Sequence, residues 1–414
     1  MGKRPESPPR PDRASLPFWS LAFGVLGLVW SAVPYFDHNA TSPLAPVARE
    51  AWLRAADEFW HNPSSPTRAG ARARLQLTAA REALATLLGA APGQIIFNSG
   101  ATEGAHAVLA HWAAILPADA TVAINPTEHP CVLAAAARAF PGRTRPIALD
   151  AAGAVSPPAL TAALDAGARA AIIMAANNET GVIQPWSDLA ALCHARGAPF
   201  LCDATQWLGK LPATGLGTAG WVLGSAHKFG GARGNGFVVA PTGAVAGFHG
   251  FTGGAQENDH RAGTEDLPGI RALVAALADC EQHEMHLESA RLLWRETFER
   301  AITITLPGTV IIAANADRLW NTVALIPPRH ENTRWVARLD KLGFQISTGS
   351  ACATGKDGPS HVLAALGVDP LAARRVVRVS AGRETTAADW QELAAAFANV
   401  AAALDAEAPA TVIS

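Results

Sequence analysis

In the run "WVLGSAHKFGGARGNG", residues 221 to 236, Lys228 stands where an apolar, strand-like stretch gives way to a glycine-rich turn. Only five of the chain's 33 basic residues are lysines, so arginine serves wherever a plain positive charge is enough. Arginine cannot form a Schiff base with a carbonyl, whereas a partly desolvated lysine can. Lys228 is therefore either an ordinary surface charge or an amine for covalent chemistry, and its neighbours must decide. Asp203 closes the strand-like "PFLCD". A carboxylate there either caps the next helix or keeps a pyridine nitrogen protonated, as pyridoxal phosphate requires to act as an electron sink. After the strand-like "QIIFN" comes "NSGATEGAH", in which Gly100, Ala101 and Thr102 offer backbone and hydroxyl donors at a helix start, a natural phosphate cradle. His129 either stacks on a flat ring or is a hydrogen-bonded core residue.

A second reactive group lies in "STGSACATGKDGPSHVL", residues 347 to 363. Cys352 sits there among small and polar residues that signal an exposed loop, with Gly349, Gly355 and Gly358 nearby. The cysteine count is five, an odd number without metal-like C-x-x-C spacing, which fits a reducing compartment and not a disulfide framework. Cys352 is a free surface thiol or a nucleophile, the latter favoured if Lys356 or active-site cations raise its thiolate fraction. Cys131, Cys193, Cys202 and Cys280 lie in apolar surroundings and read as core packing.

The elements that must position these residues follow from the pattern between about residues 94 and 240. Short apolar runs ("QIIFN", "TVAIN", "AAIIMA", "APFLCD", "GWVLG", "GFVVA") alternate with helix-like stretches. That rhythm predicts an α/β fold with a mainly parallel sheet covered by helices on both faces, whose functional residues gather at the carboxyl ends of the strands. The remainder, from "ITITLPGTVIIAA" through "RRVVRVSAG" to an alanine-rich helix, reads as a smaller α+β domain. The expected division is an N-terminal extension over 1–34, a large domain over 35–290 whose first residues pack on the small domain, and a small domain over 291–414 that carries the cysteine loop.

An apolar share of 49% with 16% charged residues suits a well-buried enzyme. The formal net charge of -2 offers no electrostatic ground for a nucleic-acid partner. Residues 16–34 form an uncharged run behind Lys3, Arg4, Arg10 and Arg13, long enough for a signal anchor or a spanning helix. "YFDHNAT" follows without the clearance that a packed domain needs, so the expectation is an extension without a membrane span, on a cytoplasmic protein.

Taken in order, "FDHNATSP", "NSGATEGA", "TEH", "NNETGVIQP", "DATQ", "GSAHK", "RAGTED", "TGSAC", "PSHVL" and "RVVRVSAGR" resemble the cysteine desulfurases of the class V aminotransferase group, fold type I enzymes of pyridoxal phosphate. The resemblance runs from residue 35 to about 400 and implies a seven-stranded main sheet. It implies pyridoxal 5'-phosphate held covalently by Lys228, with Asp203 on the ring nitrogen, Gln206 on the ring hydroxyl and His129 against the ring face. Ala101, Thr102, Ser225 and His227 would hold the phosphate, with Thr264 reaching in from the partner in a homodimer. Asn178 and Arg378 would hold the substrate L-cysteine. Cys352 would take its sulfur as a persulfide and pass it to an acceptor or scaffold protein of iron-sulfur assembly, while the remaining carbons leave as alanine. The spacing from Cys352 to Pro359 resembles the long-loop subgroup.

Thr67, Asn258, Asp259, Ala353 and Thr354 depart from the family pattern. Two alternatives remain open at this stage. One is a selenocysteine lyase or another class V aminotransferase or lyase, for which Cys352 would be dispensable. The other is a scaffold-like or membrane-anchored binding protein that keeps the fold without turnover, against which the intact set Lys228, Asp203, His129, Arg378 and Cys352 speaks.

Overall fold

The computed structural model describes residues 34–284, 287–349 and 360–407. The N-terminal apolar run and Cys352 lie outside the described residues. Two helices come first, α1 (Pro46–Glu58) and α2 (Arg68–Leu88). Thr67, one of the departures, caps α2 by accepting from the Gly70 amide at 3.1 Å, and Gly89 ends that helix in the left-handed conformation.

The main sheet is then laid down in alternation with helices: β1 (Ile95–Asn98), α3 (Ala101–Ile115), β2 (Thr121–Ile124), α4 (Pro130–Ala139), β3 (Thr144–Pro146), α5 (Pro157–Asp165), β4 (Ala168–Ile172), α6 (Trp186–Ala195), β5 (Phe200–Asp203), β6 (Trp221–Ser225) and β7 (Gly236–Val239). The spatial order is β1-β7-β6-β5-β4-β2-β3. β7 pairs antiparallel with both β6 and β1, and the other neighbours pair parallel. The seven-stranded, mainly parallel sheet is as expected from the sequence. The edge strand β3, three residues containing Arg145 and Pro146, carries no apolar run that could announce it.

Both faces of this sheet are buried, and the strands show why. Along β6, Trp221 and Leu223 join one core with α3 and α4, while Val222 between them joins the other with α2, α6 and α7 (Leu267–Asp279). Period-two alternation between two cores makes every strand position apolar, which is the continuous hydrophobic run of a covered parallel sheet.

The chain continues through α8 (Glu288–Thr305), β8 (Val310–Ile311), β9 (Thr322–Ile326), α9 (Asn332–Lys341), α10 (His361–Ala365), α11 (Pro370–Ala373), β10 (Val377–Ser380) and α12 (Ala387–Glu407). The three strands make an antiparallel sheet in the order β10-β9-β8. The β-branched "ITIT" ends α8 and forms no strand, and only Val310 and Ile311 of the following apolar run enter the sheet. On α12, Trp390, Leu393, Phe397, Val400 and Leu404 repeat at helical spacing and bury against Phe298, Trp335 and Phe36. Phe36 belongs to the first described segment, which runs along the small sheet: its amide donates to Gln345 O at 2.9 Å, and the His38 amide to Ser380 O at 3.0 Å. Among the described residues no helix is long and apolar enough to cross a membrane.

Candidate active site

Strands β1, β2, β4, β5 and β6 run the same way, so their carboxyl ends share one edge of the sheet, where ligand crevices form in open α/β sheets. A cavity of about 550 Å³ opens there. It is lined by Ala101 and Thr102 at the start of α3, by His129 before α4, and by Asn178 after β4. Asp203 and Gln206 reach it from the end of β5, and Ser225, His227 and Lys228 from the end of β6. Nine residues singled out in the sequence thus meet in one place.

Lys228 Nζ donates to the carbonyls of Asn39 at 2.7 Å and Ala40 at 2.8 Å. Asp203 accepts the Thr205 amide at 2.9 Å, and residues 205–210 form turns, so its alternative role as a helix cap is not taken up. The two readings of His129 coexist. Its Nδ1 caps α4 by accepting from the Cys131 amide at 3.2 Å, while the ring borders the cavity. Burial lowers the pKa of His129, the Lys228 and His361 charges add to that, and Asp203 opposes it.

The preceding residue, Glu128, is fully buried. One carboxyl oxygen accepts from the Met174 amide, and the other has no partner among the described residues. Burial raises its pKa well above the ordinary range, with the Asp203 charge acting the same way and the Met174 amide opposing, which favours the uncharged form beside Asp203.

The end of the cavity at α3 has the form of an anion cradle. Gly100 adopts φ +143°, and a Cβ on Gly236 would lie 2.5 Å from Gly100 Cα, so backbone approaches backbone where no side chain fits. The first amides of α3 have no intrahelical partners, and the Thr102 and Ser225 hydroxyls stand at the same cavity. His227 Nδ1 lies 3.1 Å from Thr41 Oγ1, and burial, followed by the charges of Lys228, Arg233 and Lys210, pushes its pKa down to about 4. A neutral imidazole whose Nδ1 accepts from Thr41 carries its proton on Nε2, a donor suited to phosphate. Amides, hydroxyls and imidazole for a phosphate, a carboxylate for a ring nitrogen and an amine for a carbonyl together fit pyridoxal phosphate.

Arg378 and Thr264 do not line this cavity. Arg378, on β10, is 2% exposed; its Nη1 donates to Asn178 O at 3.0 Å and Gly349 O at 2.9 Å, and its Nη2 to Asp37 Oδ1 at 2.5 Å. Its Nε has no partner among the described residues. Thr264 borders a neighbouring cavity of about 190 Å³ together with Glu257 and Arg261. The approach to it contains Glu257, Asn258 and Asp259, all with positive φ. Asn and Asp tolerate that conformation better than most residues with a Cβ, which accounts for two of the departures.

Cys352 lies outside the described residues, but both flanks of its segment meet one turn. Gly349 is tied through Arg378 to Asn178 O, and the Ser360 hydroxyl donates to Glu179 Oε2 at 2.6 Å. Cys131 corrects the reading of the four remaining cysteines as core. Cys193, Cys202 and Cys280 are buried, whereas Cys131 is half-buried, borders the cavity and lies 3.0 Å from His129 Nδ1. Its position two residues after His129, at a helix start, was the available signal. The parts of Asn39, Asp37 and Lys210 were not visible in the sequence, although "FDHNATSP" and "DATQWLGK" contain them.

The family model for aminotransferase class-V matches residues 34–393. The chain belongs to this family. A cysteine desulfurase of Cereibacter sphaeroides is 37% identical over 367 residues, covering 87% of this chain and 93% of its own length. One from Rhodobacter capsulatus is 36% identical, with coverage of 89% and 97%. Among solved structures, a NifS-like protein superposes with a TM-score of 0.82 at 26% identity, covering 89% of this chain and 99% of its own. The structure titled "SspA in complex with cysteine" gives a TM-score of 0.74 at 26% identity, with coverage of 85% and 100%. In this class-V member Lys228, just after β6, and Asp203, at the end of β5, line one cavity.

Proposed function

We propose that this chain is a cysteine desulfurase that uses pyridoxal 5'-phosphate to take sulfur from L-cysteine, leaving L-alanine and a persulfide on Cys352. The convergence of Lys228, Asp203, His129 and the Gly100 cradle on one cavity carries this reading, and the kinship with cysteine desulfurases supports it. The cofactor, when bound, supplies an electron sink for the carbon that loses its proton.

The α3 amides, Thr102, Ser225 and His227 hold the phosphate, and Thr264 adds to them from the partner of a homodimer. Asp203 keeps the ring nitrogen protonated, Gln206 bonds the ring hydroxyl, His129 covers the ring face and Lys228 makes the covalent attachment. Arg378 and Asn178 hold the substrate's carboxylate end. Lys228 Nζ takes the proton from the substrate α-carbon. The Cys352 thiolate then attacks the substrate sulfur: an S–S bond forms, the C–S bond breaks, the electron pair stays on the β-carbon, which takes a proton, and Lys228 Nζ returns the proton to the α-carbon to give alanine. No oxidant or reductant is consumed. The persulfide passes to a sulfur-acceptor protein, as in iron-sulfur assembly, and this thiol chemistry places the enzyme in a reducing, cytoplasmic setting.

The test is release of alanine and sulfide from L-cysteine, with dithiothreitol, by cofactor-loaded wild type and Cys352→Ala. Equal release by wild type and none by a variant that keeps its colour is the expected result. Full activity of Cys352→Ala on selenocysteine, with a wild type silent on cysteine, would instead assign a lyase.

A further inference from the structure

Lys210 is a buried amine that the proposed chemistry does not use. It lies four residues after Gln206, is 5% exposed, and has no carboxylate in ion-pair contact among the described residues. Its Nζ donates to Gln206 Oε1 at 2.8 Å and to Gln206 O at 3.1 Å. While Lys210 is protonated it can only donate, and the Asn39 carbonyl can only accept, so the amide oxygen of Gln206 faces Lys210 and the amide nitrogen faces Asn39. Gln206 Nε2 gives one proton to Asn39 O at 3.0 Å, the same carbonyl that receives Lys228 Nζ at 2.7 Å. Its second N–H is what a residue lining the cavity can still offer a ligand.

We propose that Lys210 is a positioning residue that locks the Gln206 side chain so that it presents a donor, and never an acceptor, to the cofactor's ring hydroxyl. The inference rests on the functional reading above and deepens it. A locked donor favours the ionised hydroxyl; without Lys210 only the Asn39 carbonyl holds the amide, and each turn of the amide presents its oxygen and opposes ionisation. The charge of Lys210 has no other evident use. Burial, then Lys228, pushes its pKa down to about 7, with Cys280 opposing and Arg378 adding to the fall. The groups facing it are His38 from the first segment, Lys228 after β6, Cys280 at the end of α7, Arg378 on β10, and Arg383 and Glu384 beyond β10.

The experiment compares cofactor-loaded wild type, Lys210→Met, Gln206→Leu and the double variant by absorbance titration, reading the pH midpoint of the colour change. Lys210→Met is expected to raise that midpoint by about one unit, a tenfold gain in proton affinity. In the Gln206→Leu background, Lys210→Met should move it no further, because the effect passes through that amide. If Lys210→Met does not fold, Lys210→Gln replaces it, with a smaller rise expected because its amide can meet Gln206 by either end. An unmoved midpoint in a coloured variant, or a shift that persists without Gln206, overturns the inference alone. A wild type that takes up no pyridoxal phosphate overturns the functional reading and this inference with it.

Discussion

Arg378 and Asp37, 341 positions apart in sequence, are joined through Nη2 and Oδ1 at 2.5 Å. With Nη1 spent on two carbonyls, the guanidinium has its Nε still unspent on the edge next to Asp37. A substrate carboxylate binding there shares or displaces Asp37. Arg378→Lys is expected to raise KM for L-cysteine about tenfold or more with a smaller change in kcat, since an ammonium cannot make the two-pronged contact. Unchanged steady-state kinetics would place the carboxylate elsewhere. Asp37→Ala leaves a buried charge without its counter-ion and should cost about 3 kcal/mol in urea unfolding.

Gly236→Ala tests the anion cradle. The new Cβ would meet Gly100 Cα and Gly224 O, both at 2.5 Å, and these are backbone atoms that cannot turn aside. The start of α3 must shift. The expected outcome is a folded protein that takes up pyridoxal phosphate weakly, read as absorbance after dialysis; tight retention of the cofactor would show that the cradle is not where the phosphate sits.

Stability should fall with acid below neutrality. Burial, followed by the Lys210 charge, pushes the His38 pKa from 6.5 down to about 4. Between those values the unfolded chain binds a proton that the folded chain does not. The contribution is therefore complete above about pH 6.5 and is lost as pH falls towards 4, costing about 2 kcal/mol between pH 7 and 5. His227, also pushed down to about 4 but more open to solvent, adds in the same direction. Urea midpoints at the two pH values should converge in His38→Gln relative to wild type; an equal pH slope in both would show that His38 titrates normally when folded.

Glu257 holds the approach to Thr264. Its carboxylate accepts from Arg81 Nη2 at 2.6 Å, from Arg81 Nη1 at 2.8 Å and from the Phe97 amide at 2.7 Å, with its side chain 1% exposed. Glu257→Ala strands a buried guanidinium and an amide at once and should destabilise the fold by about 3–5 kcal/mol. A loss below about 1 kcal/mol in urea unfolding would mean that water replaces the carboxylate.

The sequence alone determined the parts of this protein that depend on local order. Apolar strands ending in Asn98, Asp203 and Ser225, each followed by a turn, are legible because period two and glycine chemistry act over a few residues, and a parallel sheet then brings those ends together. Lys228, Asp203, His129 and Thr102 were candidates on that basis with alternatives open, and the ordered motifs of the family resemblance chose between them. β3 escaped, and the run "ITITLPGTVIIAA" did not show that only Val310 and Ile311 would form β8, because so few residues carry no period.

Tertiary structure alone decided which groups share the cavity and how each is held. Cys131 carried one local signal, its place two residues after His129 at a helix start, but only the packed chain sets it at the cavity while Cys193 and Cys202 are buried. The pairing of Asp37 with Arg378 and the orientation that Lys210 imposes on Gln206 likewise follow from burial. Charges and amides removed from water must find partners wherever the packed chain supplies them, and their distance along the sequence does not limit that choice.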